Sequence, residues 1–139
     1  MLICHLIVEW YDFCTIFVQA MATKDQVEHF LKDLRGKIQL FDIAFRPRDK
    51  NLDFLAEADL RPIERIEYLK KLTYLNYKSG PNKDSHDPGK QDFYEFGIEI
   101  KDIEVYIKIS LGLPKKRVDC MSFHKAEMQI SYPLNDQKL

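Results

Sequence analysis

Three stretches of this chain set chemically capable side chains at alternate positions: "FYEFGIEI" (93–100), "EVYIKISL" (104–111) and "RVDCMSFH" (117–124). In a strand, alternate residues face opposite sides. Directing the apolar set of each stretch into a core therefore gathers Glu95, Glu99, Tyr106, Lys108, Ser122 and His124 on the other side. Carboxylate, phenol, ammonium, hydroxyl and imidazole groups can hold a charged ligand and exchange protons with it. The same pattern also describes a wetted sheet face, where Glu/Lys pairs across strands serve solubility and protect edges. His124 alone is as well read as a structural histidine, and Cys120 as a small buried side chain with no basic partner to activate it.

The elements that must position these residues follow from periodicity. Val27, Phe30, Leu31 and Leu34 form one stripe of an amphipathic helix that Gly36 can end. "KIQLFDIAF" (38–46) is dense in β-branched and aromatic residues, is closed by Pro47, and reads as a strand. "NLDFLAEADL" reads as a short helix with Asn51 as N-cap. "RPIERIEYLKKL" reads as a second, with Pro62 in its first turn, Ile63, Ile66, Leu69 and Leu72 buried, and Glu64, Arg65, Lys70 and Lys71 outside. A long polar loop is expected from about Asn76 to Gln91. The three alternating stretches then form a meander, with a tight hairpin around Lys101 and Asp102 and a turn at "GLPKK". The expected fold class is α+β, with N-terminal helices packed on one face of a small antiparallel sheet.

Composition bounds the possibilities without choosing among them. A chain of 139 residues, 45% hydrophobic and 31% charged, suits one globular domain. A net charge of -1 neither favours nor opposes nucleic acid, since binding follows local clusters of charge. Three cysteines and four histidines are too scattered for a disulfide framework or a structural zinc site. The first twenty residues are apolar and aromatic, contain no Lys or Arg, and carry Glu9 and Asp12, which fits neither a secretory signal nor a membrane span. They read either as an added packing element or, preferably, as an extension ahead of a start at Met21, leaving residues 21–139 as a single domain.

Several short strings occur in a telling order: "NYKS" (76–79) after the second helix, Asp84 shortly beyond, "VYIKI" (105–109) and "SFH" (122–124). Across Asp25 to about Tyr132 the chain thereby resembles the MqsR family, the motility quorum-sensing regulator group of bacterial toxins. These are small mRNA interferases with a RelE-like fold. The resemblance implies Lys78, Tyr106 and the position of His124 as active-site residues. A fourth position, usually Gln in the family, falls at Tyr94–Glu95 and assigns Glu95. The chain departs from the family pattern in having His124 where Lys is usual and Glu95 where Gln is usual.

The implied reaction is metal-independent cleavage of RNA, in which the 2'-OH attacks the adjacent phosphate to leave a 2',3'-cyclic phosphate and a 5'-OH. Glu95 or His124 would be the base, His124 or Tyr106 the acid, and Lys78 the electrostatic clamp. Lys78, Lys83, Lys108, Lys115, Lys116, Arg117 and Lys125 would grip the backbone of a single-stranded mRNA. Tyr77 or Phe93 would stack on bases, although Tyr77 is equally a core candidate. No cofactor, metal or membrane is expected, the location is cytoplasmic, and a cognate antitoxin protein is the implied partner. The competing class is a non-catalytic α+β interaction module of immunity or adaptor type that uses the polar sheet face, and the weakly acidic total favours it.

Overall fold

A computed structural model describes residues 21–84 and 91–135. The expectation for residues 1–20 lies outside the described residues. The order is α1 (Lys24–Phe41), β1 (Ile43–Phe45), α2 (Asp49–Glu57), α3 (Glu64–Lys70), a 3-10 turn (Tyr74–Asn76), β2 (Tyr77–Asn82), β3 (Phe93–Ile100), β4 (Ile103–Ser110) and β5 (Val118–Lys125). The described residues form an α+β architecture, with three helices and one five-stranded sheet in the order β1-β5-β4-β3-β2. The sheet is mixed rather than antiparallel, because β1 pairs parallel to β5.

The α1 helix begins with a capping box, in which Gln26 N donates to Thr23 Oγ1 and Thr23 N donates to Gln26 Oε1. It does not stop at Gly36. The buried stripe continues through Leu34 to Ile38, and burial of an isoleucine outweighs the roughly 1 kcal/mol that glycine costs inside a helix. The stop comes at Asp42, whose φ of 72° leaves the helical region, and the strand expected over 38–46 shrinks to three residues. α3 is also rotated from the expected stripe. Ile63 is exposed, whereas Arg65 is buried with its guanidinium 3.8 Å above the Phe45 ring, and Leu69 and Leu72 complete the inner face.

The expected loop over 76–91 contains a strand. β2 carries Gly80 and Pro81, which argue against a central strand, but it is an edge strand, where a missing N–H is tolerated. The β3–β4 hairpin matches its sequence signal: Ile100 pairs with Ile103, and Lys101 and Asp102 both adopt positive φ, as a two-residue turn of the right hand demands. In β5 the strict alternation fails. Ser122 pairs with Lys108 while Cys120 pairs with Ile109, so Met121 is an extra residue in a bulge. Cys120 thus turns to the core beside Val118, and Ser122 and His124 keep the polar side.

Phe30 of α1 stacks on Tyr94 at 3.9 Å between ring centroids, and Phe54 of α2 meets Phe123 at 6.0 Å. These contacts and the apolar residues of β3, β4 and β5 form one continuous core. Asn51 joins α2 to the sheet. It lies inside the helix rather than at its N-cap, which is Arg48, and is 1% exposed. Its amide nitrogen donates to Arg46 O (2.9 Å) and Met121 O (3.2 Å), and its oxygen accepts from Phe123 N (2.9 Å). Replacing Asn51 by Ala strands Met121 O and Phe123 N, while Arg46 O keeps its bond from Arg48 N, and is expected to lower the unfolding free energy by about 3 kcal/mol. Urea denaturation checks this, with Asn51→Leu expected to be equally damaging; a loss under about 1 kcal/mol in both would show that the bonds are dispensable.

Candidate active site

Register alone brings the polar residues of four strands together. Ser79 pairs with Glu95, Glu95 with Lys108, Lys108 with Ser122, and Tyr106 with His124. Lys78, Glu95, Tyr106, Lys108, Ser122 and His124 all line one cleft of about 650 Å³. Its further walls are the start of α2 (Arg48, Asp49, Lys50) and the segment 126–130 that follows β5.

Glu95 is the electrostatic centre. Its carboxylate accepts hydrogen bonds from Ser79 Oγ and Tyr106 Oη and from Asn82 Nδ2 (3.3 Å), and lies 3.6 Å from Lys78 Nζ. Burial pushes the Glu95 carboxyl up, but the bonds from Ser79 and Tyr106 and the charge of Lys78 outweigh it and hold the group below its ordinary value. An ionised, fully engaged carboxylate is a weak base. Tyr106 is shifted the other way. Burial, then the hydrogen bond to Glu95 and its negative charge, push the phenol well above its ordinary range, so it remains a protonated donor.

His124 lies 5.4 Å from Tyr106 between ring centroids. Its Nδ1 is 2.9 Å from Lys125 O. A carbonyl only accepts, so this bond requires the proton on Nδ1 and leaves the lone pair of the neutral ring on Nε2. Lys108 Nζ rests 4.2 Å above the Phe93 ring. Cys120 is fully buried and its thiol is pushed up to about 12, chiefly by that burial, which suits packing rather than nucleophilic chemistry.

Part of the polar side is covered. Glu104 accepts from Ile130 N (3.0 Å) and Tyr132 Oη (3.1 Å), which draws the segment after β5 back over β3. Gly97 makes room for it, since a Cβ there would come within 2.4 Å of Tyr132 Oη. Glu99, grouped with the cleft residues by alternation, does not line the cleft.

The wider basic set divides. Tyr77 is completely buried, accepts from Ala22 N (2.9 Å) and donates to Gly80 O (2.5 Å), so it is a core residue and offers no stacking surface. Lys125 pairs in register with Val105, opposite in facing to His124, and its ammonium lies 3.4 Å from Glu57 of α2. Lys83, Lys115, Lys116 and Arg117 are exposed but do not line the cleft. Arg48 and Lys50 do line it and were not anticipated. The basic run Arg46, Arg48, Lys50 was visible, but its approach to β5 depends on Asn51, which no periodicity reveals.

Among the described residues no group of three His, Cys, Asp or Glu is arranged to hold a metal ion, and no helix is long and apolar enough to cross a membrane. Comparison with protein-family models, with curated proteins and with solved structures finds no match for this chain.

Because folding lowers the Glu95 pKa, its contribution to stability is complete above the unfolded carboxylate value of about 4.3 and is lost as pH falls through the folded one. Thermal unfolding followed from neutral pH to about pH 3 should therefore show a steeper acid loss in the wild type than in Glu95→Gln. Parallel curves for the two proteins would remove Glu95 from that role.

Proposed function

We propose that this chain is a metal-independent endoribonuclease of RelE-like type, an mRNA interferase toxin neutralised by a cognate antitoxin and acting in the cytoplasm. The observation that carries the reading is the convergence of Lys78, Glu95, Tyr106 and His124, from four strands, on one cleft. A single phosphodiester and its neighbouring 2'-OH need those functions within reach of one another.

The geometry favours one division of labour. His124 Nε2, with its lone pair free in the neutral ring, takes the proton from the 2'-OH. Lys78 stabilises the charge growing on the phosphate oxygens. Tyr106, protonated and oriented by Glu95, donates to the phosphate or to the leaving 5' oxygen, whose alkoxide is more basic than a phenolate. Glu95 orients Tyr106 and Lys78 and is not the base.

A second reading rests on the same network. Hydrogen bonds that satisfy Glu95 so fully also suit a rigid polar face that docks a protein without chemistry. The two separate in one assay. Purified protein incubated with a long single-stranded RNA in EDTA is expected to yield fragments ending in 2',3'-cyclic phosphate. His124→Ala should reduce the rate by two to four orders of magnitude, and Lys78→Ala by about two to three. Intact RNA from folded protein, with and without ribosomes, would leave the docking module.

A further inference from the structure

We propose that Arg48 holds a phosphate of the RNA remote from the one being cleaved, so that the substrate is a single strand lying across the sheet from β2 towards the start of α2. The inference rests on the endoribonuclease reading and adds to it a direction and a minimum length.

The cleft presents four long cations, and three are already engaged. Lys78 lies beside Glu95, Lys50 pairs with Glu127, and Lys108 rests on Phe93. Arg48 lines the cleft with an exposed side chain and has no carboxylate partner among the described residues. Nearby, Arg46 pairs with Asp119 at 2.7 Å and Lys125 with Glu57. A guanidinium offers a planar fork of donors that matches phosphate, which makes it the fitting residue for a backbone contact.

Position supplies the direction. Lys78 lies on β2, Lys108 on β4, and Arg48 beyond β5, where Asn51 fastens the first turn of α2 to Met121 and Phe123. Adjacent strands lie about 4.8 Å apart, so Lys78 and Lys108, two strands apart, are separated by about 10 Å across the sheet, and Arg48 lies beyond the next strand. The cations form a row across the strands. The row is too long for one phosphate: Lys78 stays with the phosphate at Tyr106 and His124, and Arg48, beyond β5, is left for another phosphate of the same chain. Arg48 is also held in place before any ligand arrives: its N–H donates to Arg46 O (2.9 Å) and its carbonyl accepts from Leu52 N (3.0 Å). That fixed backbone lowers the ordering cost of a contact made through the side chain.

The test is an anisotropy titration with a 2'-O-methyl RNA of about eight nucleotides, which can bind but has no 2'-OH with which to cleave itself. Arg48→Ala, which removes an exposed side chain, is expected to weaken binding about tenfold and to make the slope of log Kd against log salt shallower by about 0.7, the value for one phosphate contact on a single strand. Arg48→Lys should keep the slope and lose part of the affinity. In cleavage, Arg48→Ala should reduce kcat/KM for the long RNA and leave that for a dinucleoside phosphate unchanged. Wild type that binds the octamer while Arg48→Ala matches it in Kd and slope would overturn the role of Arg48 and spare the nuclease. Wild type that binds no RNA and cleaves none would overturn both.

Discussion

One buried side-chain amide stands where a strand is missing. β1 covers the edge of β5 only from Val118 to Cys120, and beyond that point the edge would leave a carbonyl and an N–H facing the interior. Asn51 supplies both partners, to Met121 and Phe123, and reaches back to Arg46 at the end of β1. Unsatisfied, such groups cost about 1–3 kcal/mol each. Satisfied by a helical residue, they bind α2 to the sheet at the one stretch of β5 that carries Ser122 and His124 on its other side. The core contact of Phe54 with Phe123 and the placement of Arg48 at the cleft both follow from this junction.

The cleft shows how burial sorts similar groups into different tasks. Glu95 and His124 both began as candidates for the base. A carboxylate placed among Ser79, Tyr106, Asn82 and Lys78 is stabilised in its charged form, and each bond that holds it also reduces its appetite for a proton. Its negative charge is conveyed instead to Tyr106, whose hydroxyl is kept protonated and aimed. The imidazole is tied down through one nitrogen alone, so its other nitrogen stays available.

Local rules made much of this legible. The alternation of β3 and β4, the hairpin at Lys101–Asp102 and the stripe on α1 are written in neighbouring residues and appear as read. What escaped was set by distant partners. Gly36 is carried through because Leu34 and Ile38 are buried by other elements, and Arg65 turns inward because Phe45 offers it a ring face. Asn51, a good N-cap by type, is worth more inside the helix because a buried strand edge without a partner strand lies against it. Of the site, the sheet residues Glu95, Tyr106, Lys108, Ser122 and His124 followed from alternation, and Lys78 from the short strings after the second helix. Arg48 and the wall at 126–130 depend on tertiary placement, and no pattern in the sequence marks them.

The parallel pairing of β1 with β5 has a consequence for the order of assembly. β3, β4 and β5 are joined by short turns and can zip in sequence, whereas β1 and α2 wait for a strand some seventy residues downstream. A chain emerging from the ribosome would therefore leave β1 and α2 without their partner until β5, the last of the described strands, had been made. His124 arrives on that same strand. The act that completes the core also delivers the last of the four clustered side chains, so a partly made chain has neither a finished fold nor a complete cleft.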